Sequence, residues 1–392
     1  SLVQSRSHRR FSAARVSPFL MAALGLVSLS VACGSSGEDA RPDPGGSEST
    51  GGGGGAPSAP GPADGDIESK HHDGGPGGGT ANGGGQTEDG GALDVCSAAA
   101  TRVVKVSTAS QLSQALERAA AGDRIELADG TYSGQFTATA SGTASHPIAL
   151  CGAGASVLSG GNISSGYGFS LKGSHWVLSG FKVTKSGKGI VLDAANHNVM
   201  DNLEVYDIGE EGIHFRTFSS DNILRNSHIH DTGRDQPGYG EGVYIGSAYS
   251  HWSDYTDGKP DACDRNQIID NRIENTAAEN IDIKEGTTGG LIEGNTLSGK
   301  GMSGENYSDS WLDVKGNGYQ LKNNTGDTAI ADGFQVHQAT SGWGNDNVFH
   351  GNEMSGVPGY GINVFKDVTG TVVGCDNTMT GGDGLSNEKC NE

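Results

Sequence analysis

The amino-acid sequence predicts an all-β fold, a single-stranded parallel β-helix in which short strands stack into a solenoid. A strand with alternating faces, seen in Glu279-Asn280-Ile281-Asp282-Ile283-Lys284, occurs eight times between Tyr167 and Phe365. A second strand that ends near an Asn recurs at intervals that are mostly 24 to 29 residues. A repeat of this length, built from short strands without helices, is typical of a β-helix coil.

The first ninety or so residues are not predicted to belong to this fold. Basic residues precede an apolar run from Phe19 to Ala32 that is short for a membrane span, so residues 1–33 are predicted to be a secretory signal. Small residues before Cys33 resemble a bacterial lipoprotein cleavage site, which makes Cys33 the predicted lipidation site; an ordinary signal peptide that ends near a cysteine is the alternative. Residues 34–94, rich in Gly, Ser and Pro, predict a disordered tether, and residues 95–392 the β-helix domain.

Composition and charge limit the partners of the chain. The formal net charge of −21 argues against nucleic acid or an anionic membrane as a ligand, because both require basic surface. We therefore expect contact with a membrane only through the lipid anchor. The expected protein is a monomer, either extracellular or anchored at the outer membrane of a bacterium.

A capping helix and two disulfides are predicted around the ends of the solenoid. The segment Gln111–Ala120 places Leu112, Ala115, Leu116 and Ala119 on one face, as in an amphipathic helix that covers the open end of a repeat array. In an exported protein Cys96 can pair with Cys151 and Cys375 with Cys390, with Cys263 left over. Connectivity cannot be derived from sequence alone, so other pairings stay open.

The Asn residues that end the second strands form a series for which we expect hydrogen bonds between amides of successive coils. This predicted series consists of Asn202, Asn226, Asn271, Asn295, Asn324, Asn352 and Asn377. Its interval lengthens to 45 residues between Asn226 and Asn271, which indicates an inserted loop over about Thr232 to Arg265. Tyr249 and Trp252 in this loop are predicted to contact sugar rings; the alternative is a loop that packs on itself. A smaller inserted stretch, Lys300–Asp309, is predicted to flank the same groove.

Two columns of outward side chains carry the functional prediction. Successive coils lie about 4.8 Å apart, so Asp282 should stack on Asp313 and Lys284 on Lys315. Like charges directly opposite each other destabilise a sheet, which favours a functional reason for the arrangement. Stacked carboxylates suit calcium, and crowded lysines lower the pKa of one of them until it can act as a base. The alternative is a plain surface on which diagonal Asp–Lys pairs neutralise the charge.

This set of groups fits β-elimination of a uronic-acid polysaccharide, which needs a base and a positive charge that stabilises an enolate-like intermediate. We predict Lys284 as the base, Lys315 and Arg216 as charge stabilisers and His337 as an acid. The candidate calcium ligands are Glu241, Glu279, Asp282 and Asp313, and the candidate substrate-binding residues are His214, Tyr244, Gln335, Trp252 and Tyr249. One alternative is a glycoside hydrolase that uses paired carboxylates, and another is a non-catalytic glycan-binding surface protein, which the net negative charge favours.

The stretch from Gly122 to Gly134, together with His146-Pro147-Ile148, resembles the amino-terminal part of pectate-lyase-like right-handed parallel β-helix proteins. It is most similar to polysaccharide lyase families 6 and 9, which contain chondroitinase B, alginate lyases and pectate lyases. The resemblance implies a right-handed coil and lyase activity on an acidic polysaccharide. Family 6 enzymes place a Glu five residues before the catalytic Lys, as Glu279 precedes Lys284. Lys315 corresponds to an Arg on the following coil, and Ala277 stands where a further calcium-ligating acid is found.

Overall fold

The computed structural model describes residues 96–97 and 99–392. The predicted signal peptide (1–33), the lipidation site Cys33 and the tether (34–94) lie outside the described residues. In the part of the chain that the structure describes, no helix combines the length and the apolar character needed to cross a membrane.

Thirty-one short strands and two α-helices follow one another along the described chain. The first ten strands are β1 (Arg102–Val106), β2 (Asp123–Leu127), β3 (Gly130–Ser133), β4 (Phe136–Ala138), β5 (Ile148–Cys151), β6 (Ser156–Ser159), β7 (Tyr167–Leu171), β8 (Trp176–Ser179), β9 (Lys182–Thr184) and β10 (Lys188–Asp193). The next are β11 (Val199–Asp201), β12 (Glu204–Tyr206), β13 (Ile213–Arg216), β14 (Ile223–Arg225), β15 (His228–His230), β16 (Val243–Ile245), β17 (Gln267–Ile269), β18 (Arg272–Glu274), β19 (Ile281–Ile283), β20 (Leu291–Glu293) and β21 (Thr296–Ser298). The last are β22 (Leu312–Val314), β23 (Gln320–Lys322), β24 (Thr325–Asp327), β25 (Phe334–Val336), β26 (Val348–His350), β27 (Glu353–Ser355), β28 (Tyr360–Val364), β29 (Val372–Val373), β30 (Thr378–Thr380) and β31 (Gly384–Ser386). The helices are α1 (Ala109–Glu117) and α2 (Trp252–Tyr255), and 3₁₀ turns lie at Pro237–Tyr239, Tyr249–His251 and Glu305–Tyr307.

Each regular coil contributes one strand to each of three sheets. Sheet 1 has eleven strands in the order β1-β2-β5-β8-β11-β14-β17-β20-β23-β26-β29. Sheet 2 runs β3-β6-β9-β12-β15-β18-β21-β24-β27-β30, and sheet 3 runs β4-β7-β10-β13-β16-β19-β22-β25-β28-β31. Neighbouring strands come from consecutive coils and pair in parallel, as β16 does with β13 and β19. The predicted parallel β-helix is confirmed.

The core fills the inside of the solenoid with stacked apolar columns. Side chains of a strand point alternately to its two faces, so every second residue of sheet 3 points inward. Val243, Ile281 and Leu312 follow one another in register on β16, β19 and β22, and each is fully buried. The residues between them must then point outward, which gives sheet 3 the polar face that carries the site.

Helix α1 begins at Ala109, two residues before the predicted start, and ends at Glu117, three residues before the predicted end. The Thr108 side chain accepts a hydrogen bond from the Gln111 backbone N–H (3.3 Å), which caps its first turn. Leu112, Ala115 and Leu116 are buried in the main core, as the periodicity predicts. That α1 closes the end of the solenoid stays a prediction.

Both expected disulfides are present, Cys96–Cys151 and Cys375–Cys390. Cys263 is buried and forms no disulfide, as expected. The two disulfides lie near the two ends of the described chain and tie the ends to the coils beside them.

Two columns of buried amides run along the solenoid, which we call the amide ladders. The longer ladder joins Asn271, Asn295, Asn324, Asn352 and Asn377, and each backbone N–H and side-chain amide donates to the side-chain oxygen of the next Asn at 2.7 to 3.1 Å. The shorter ladder joins Asn198, Asn222 and Asn266 at 2.9 to 3.0 Å, and sequence reasoning missed it.

The prediction was wrong at the start of the longer ladder. Asn202 and Asn226 lie one position earlier, in left-handed turns with φ of 54° and 50°. The ladder position is held by Ser227 instead, whose N–H donates to the Asn271 side chain at 3.0 Å. Both positions favour Asn, one because its backbone is left-handed and the other because stacked amides hydrogen-bond to each other. The sequence pattern therefore did not distinguish the turn column from the adjacent ladder column.

Candidate active site

The outward face of sheet 3 has the predicted register. Tyr244 pairs with Asp282, Asp282 with Asp313 and Asp313 with Gln335. Backbone hydrogen bonds carry the same register one step further, from Lys315 N–H to Ile283 O (2.8 Å) and from His337 N–H to Val314 O (2.9 Å). Asp282 therefore lies on Asp313 and Lys284 on Lys315, as the alternation predicts.

One diagonal ion pair between coils and two ion pairs within a coil neutralise these stacks. The Lys315 Nζ lies 2.8 Å from Asp282 Oδ1 and 3.0 Å from Asp313 Oδ2, and the Lys284 Nζ lies 2.8 Å from Asp282 Oδ2. We call Asp282, Lys284, Asp313 and Lys315 the charged cluster. All four residues are largely buried, and Asp282 is shared by two ammonium groups.

The charges around Lys315 fix its protonation. Burial alone would lower the pKa of Lys315, but the carboxylates of Asp282 and Asp313 outweigh burial and the nearby Lys284 and raise it above its usual value. Burial would raise the pKa of Asp313, but Lys315 and His337 hold it well below its usual range. Lys315 is therefore the cationic lysine of the pair, and the expectation that crowding lowers the pKa of the other lysine, Lys284, stays a prediction.

Three carboxyl groups meet beside the cluster, and we call Glu241, Glu279 and Asp282 the acid triad. One oxygen from each lies within 4.8 Å of the others, and all three residues are buried. Burial, together with the charge of neighbouring carboxylates, raises the pKa of Glu241 and of Glu279 well above the usual value. Glu241 Oε2 is buried without a hydrogen-bond partner among the described residues. An all-oxygen set with an unsatisfied carboxylate oxygen fits a hard cation such as Ca²⁺.

The fourth predicted calcium ligand, Asp313, does not belong to the acid triad. Its carboxylate is engaged by Lys315 and by the Ser310 hydroxyl, which donates to Asp313 Oδ1 at 2.8 Å. Glu241 comes from the coil before Glu279, and Ala277 contributes no oxygen side chain.

Two predicted substrate-binding residues adjoin Lys284. The Lys284 Nζ lies 4.9 Å from the centre of the Tyr244 ring, and the His214 ring packs edge-on against Tyr244 at 4.6 Å. His214 Nε2 donates to the Gly246 carbonyl at 3.0 Å, since a carbonyl oxygen can only accept. Burial and the charges of Lys188 and Arg216 hold the pKa of His214 well below its usual value, so this ring is neutral.

Arg216 lies two coils away from Lys284, and Gly246 occupies the coil between them. Its Nε donates to Asp193 Oδ1 at 2.6 Å, and its Nη2 donates to the Tyr167 hydroxyl at 3.0 Å. Burial would lower the pKa of Arg216, but Asp193 raises it above its usual value. The structure does not bring Arg216 beside the charged cluster, and its role as a charge stabiliser stays a prediction.

His337 lies at the solvent edge of the charged cluster, with 26% of its side chain exposed. Its ring stacks on Phe365 with 4.1 Å between centroids, and its Nε2 lies 2.8 Å from Gln335 Oε1 and 3.7 Å from Asp313 Oδ1. Gln335 was predicted to bind substrate, yet both ends of its amide are engaged within the protein.

Two walls flank the charged cluster, one at each edge of sheet 3. The first wall is at the amino-terminal edge and consists of two segments, residues 232–240 before β16 and residues 300–309 before β22. Asn306 Nδ2 donates to the Gly238 carbonyl at 3.0 Å and joins the two segments; that 300–309 flanks a substrate groove stays a prediction. Residues 247–262 follow β16 and form the wall at the opposite edge.

The wall formed by residues 247–262 holds Tyr249 and Trp252. The Tyr249 N–H donates to Glu285 Oε1 at 2.6 Å, and the Trp252 indole N–H donates to the Ser247 carbonyl at 3.0 Å. Tyr249 is 39% exposed, whereas Trp252 is half-buried. This segment therefore packs on the protein and still presents an aromatic ring to solvent.

Sequence reasoning named Glu241 and Glu279 but missed that they continue a third outward column at the start of the sheet 3 strands. Lys188 pairs with Glu210 (2.9 Å) and with Glu211, and the same column continues through Glu241 and Glu279. The signal was present in the sequence, because a charged residue directly precedes Gly in Lys188-Gly189, Glu211-Gly212 and Glu241-Gly242. Asp309 and Asp332, which hold Gln335, were missed as well.

Comparison with known proteins adds family membership. A family model described as the Pel9A-like right-handed β-helix region matches residues 96–246. The alginate lyase from Paenibacillus sp. str. FPU-7 is 44% identical, with 75% of this chain and 100% of that chain covered and a TM-score of 0.71. Pectate lyase Pel9A is 17% identical (74% and 79% covered, TM-score 0.55) and a rhamnogalacturonan lyase 14% (66% and 75%, TM-score 0.51), so these two share the fold. A search of curated proteins finds no match.

The resemblance to lyases that the sequence indicated is confirmed, and the comparisons favour neither the hydrolase nor the non-catalytic alternative. At 44% identity over the full length of a solved lyase, this chain belongs to the pectate-lyase-like family of right-handed parallel β-helix polysaccharide lyases.

Proposed function

We propose that the protein cleaves a uronic-acid polysaccharide by β-elimination, with alginate as the first candidate substrate. The observation that carries the proposal is Asp282, which lies 2.8 Å from the ammonium groups of both Lys284 and Lys315. The alginate lyase with 44% identity supports both the reaction and the choice of polymer.

The reaction makes two demands on the protein. A base removes the proton from C5, next to the uronate carboxylate, and the C–H electrons form a C4–C5 double bond while the C4–O bond breaks. The departing oxygen takes up a proton. Negative charge accumulates on the carboxylate during this step, so positive charge beside it lowers the barrier.

The lysines divide these tasks. Lys315 is held as a cation by Asp282 and Asp313, so it supplies fixed positive charge for the substrate carboxylate. Lys284 takes the C5 proton when it is in its neutral form, and the ammonium group that results is the form that pairs with Asp282 at 2.8 Å. His337, at the exposed edge of the cluster, returns a proton to the departing oxygen. Tyr244 and His214 form the buried floor beside Lys284.

The acid triad would hold Ca²⁺, and Glu241 and Glu279 would then be ionised. The bound ion would supply positive charge close to the substrate carboxylate. Three buried carboxyl groups support this assignment, as does Glu241 Oε2, which has no hydrogen-bond partner in the part of the chain that the structure describes.

The test incubates the full chain with alginate, polygalacturonate and chondroitin sulfate, with calcium or with a chelator. We expect ultraviolet absorbance from the unsaturated uronate on alginate, and we expect Lys284→Ala to abolish it. New reducing ends without absorbance would identify a hydrolase. Binding without cleavage would identify a glycan-binding protein, and either result would contradict the proposal.

We also propose that the signal and tether deliver a monomer to the outer surface of a bacterium, with a lipid on Cys33. Labelled palmitate should be incorporated into the wild type and not into Cys33→Ala. Equal labelling of the two chains would contradict the lipid anchor.

A further inference from the structure

Four side chains form a hydrogen-bonded chain that ends at the charged cluster. Gln335 Nε2 donates to Asp309 Oδ1 at 2.7 Å and to Asp332 Oδ2 at 3.0 Å, while Gln335 Oε1 faces His337 Nε2 at 2.8 Å. Gln335 is buried, with 5% of its surface exposed. We call these four residues the proton-positioning chain.

The orientation of the Gln335 amide follows from its partners. Asp332 also accepts hydrogen bonds from the Tyr360 N–H (2.7 Å) and from Asn363 Nδ2 (2.8 Å), so its carboxylate is surrounded by donors. A flipped Gln335 would turn its oxygen toward Asp332 and Asp309, and each carboxylate would then need a proton. Burial and Asp313 raise the pKa of Asp309, yet Asp332 alone is enough to hold the amide nitrogen in place.

This orientation dictates where His337 carries its proton. The Gln335 oxygen can only accept, so the hydrogen between the two residues belongs to His337 Nε2. The stack on Phe365, with rings 27° from parallel, fixes the plane of the imidazole. We infer that Gln335 locks His337 in its Nε2–H form, so that Nδ1 is the ring nitrogen that exchanges protons with the substrate, and that Asp309 and Asp332 act as positioning residues through Gln335.

The inference rests on the proposed function only where it gives His337 a proton to deliver. The imidazolium form breaks its Nδ1–H bond, the proton forms an O–H bond on the departing sugar oxygen, and the neutral ring keeps its Nε2–H on Gln335. Without Gln335 the neutral ring is free to carry its hydrogen on either nitrogen. Asp309 belongs to the wall of residues 300–309, so this wall sets the proton position as well as the shape of the groove.

The position of the hydrogen can be read without substrate. Long-range ¹H–¹⁵N spectra of the full chain with labelled histidine distinguish the two neutral forms of each imidazole, and loss of one signal in His337→Gln assigns it. We expect the Nε2–H form in the wild type and a mixture of forms in Gln335→Leu. We expect kcat of Gln335→Leu to fall about 10-fold, part of the usual contribution of a general acid, with little change in KM.

Two further variants separate positioning from folding. Asp309→Asn lies in the wall and leaves Asp332 in place, so it should fold and shift the spectrum less than Gln335→Leu does. Asn363→Leu removes a different donor from Asp332 without touching His337, so the spectrum and kcat should stay as in the wild type.

Several results would overturn the inference. These are an Nδ1–H form in the wild type, an unchanged His337 spectrum in Gln335→Leu, or full activity in His337→Gln while Lys284→Ala is inactive. Failure of the proposed function looks different, because no polymer would then be cleaved by elimination while the spectrum still reports the Nε2–H form.

Discussion

The amide ladders and the charged cluster are both stacks of identical side chains on successive coils, yet they differ in what each stack can satisfy. An Asn amide carries a donor and an acceptor, so each amide can hydrogen-bond to the next, as Asn295 Nδ2 does when it donates to Asn324 Oδ1 at 2.9 Å. An ammonium group only donates and a carboxylate only accepts, so Lys284 cannot complete Lys315.

This difference separates scaffold from site. In the longer ladder, the side-chain oxygen of each Asn accepts hydrogen bonds from the Asn of the neighbouring coil, so the amides satisfy one another. The charged cluster depends on pairs between ammonium groups and carboxylates and lies beside Glu241, whose Oε2 has no partner among the described residues. A self-complementary stack adds stability without binding anything, whereas a stack of like charges has the capacity to bind a ligand.

The largest expected effect comes from removing one member of the charged cluster. Lys284→Ala should reduce activity by about 10²- to 10⁴-fold, the usual contribution of a general base. Stability should change little, because Lys315 still neutralises Asp282. Absorbance of the unsaturated product and a thermal melt measure the two effects. Lys322→Ala on sheet 1 is the control and should leave both unchanged; retained activity in Lys284→Ala would refute the assigned base.

The next effect comes from breaking a ladder. Asn295→Ala leaves the Asn271 N–H and the Ile268 carbonyl without their buried partner, so the free energy of unfolding should fall by about 2–5 kcal/mol. Asn323→Ala, in the neighbouring turn column, should cost only about 1 kcal/mol, mainly from its left-handed backbone. Urea unfolding measures both free energies. Equal losses of stability in the two variants would show that a ladder Asn contributes no more than a turn Asn.

A smaller effect tests whether the acid triad binds a cation. Because the pKa values of Glu241 and Glu279 are raised in the folded state, the protein without calcium should lose stability as pH rises through those values. Calcium at about 100 times its Kd should restore about 2.7 kcal/mol and release protons. Calorimetry in two buffers of different ionisation enthalpy detects the release. Glu241→Gln is the control, and calcium binding without proton release would contradict the triad.

The smallest effect concerns Asp313. Its pKa is lowered in the folded state, so its contribution to stability is present at neutral pH and is lost as pH falls below about 5. Asp313→Asn should therefore flatten the loss of stability in acid, by on the order of 1 kcal/mol. Unfolding at a series of pH values measures this slope. An unchanged slope would mean that the ion pair with Lys315 does not lower the pKa of Asp313.

The register of the site was predictable because a strand has a period of two and one face must be buried. A slip of one residue would place Ile281 and Ile283 in solvent, so Asp282 could stack only on Asp313. Helix α1 followed from a similarly local signal, its apolar periodicity.

The remaining features depend on contacts that no local pattern encodes. Asp309 reaches Gln335 from an inserted wall that lies outside the strand repeat. The raised pKa of Lys315 results from two carboxylates, Asp282 on the preceding coil and Asp313 on its own coil, whereas the sequence pattern drew attention to the stacked lysine. Asn226 and Ser227 could not be told apart, because a left-handed turn and a ladder favour overlapping residue types.

The longer ladder also has a meaning for how such enzymes diversify. Ser227 bonds to Asn271 at 3.0 Å across 44 residues of sequence, whereas Asn271 bonds to Asn295 across 24. Some twenty extra residues therefore enter the coil on the side of sheet 3 and leave the ladder between sheets 1 and 2 unbroken. Evolution can lengthen, shorten or exchange the walls of the groove as separate modules, and an engineer can transplant them between relatives, since the spine that holds the coils together does not pass through them.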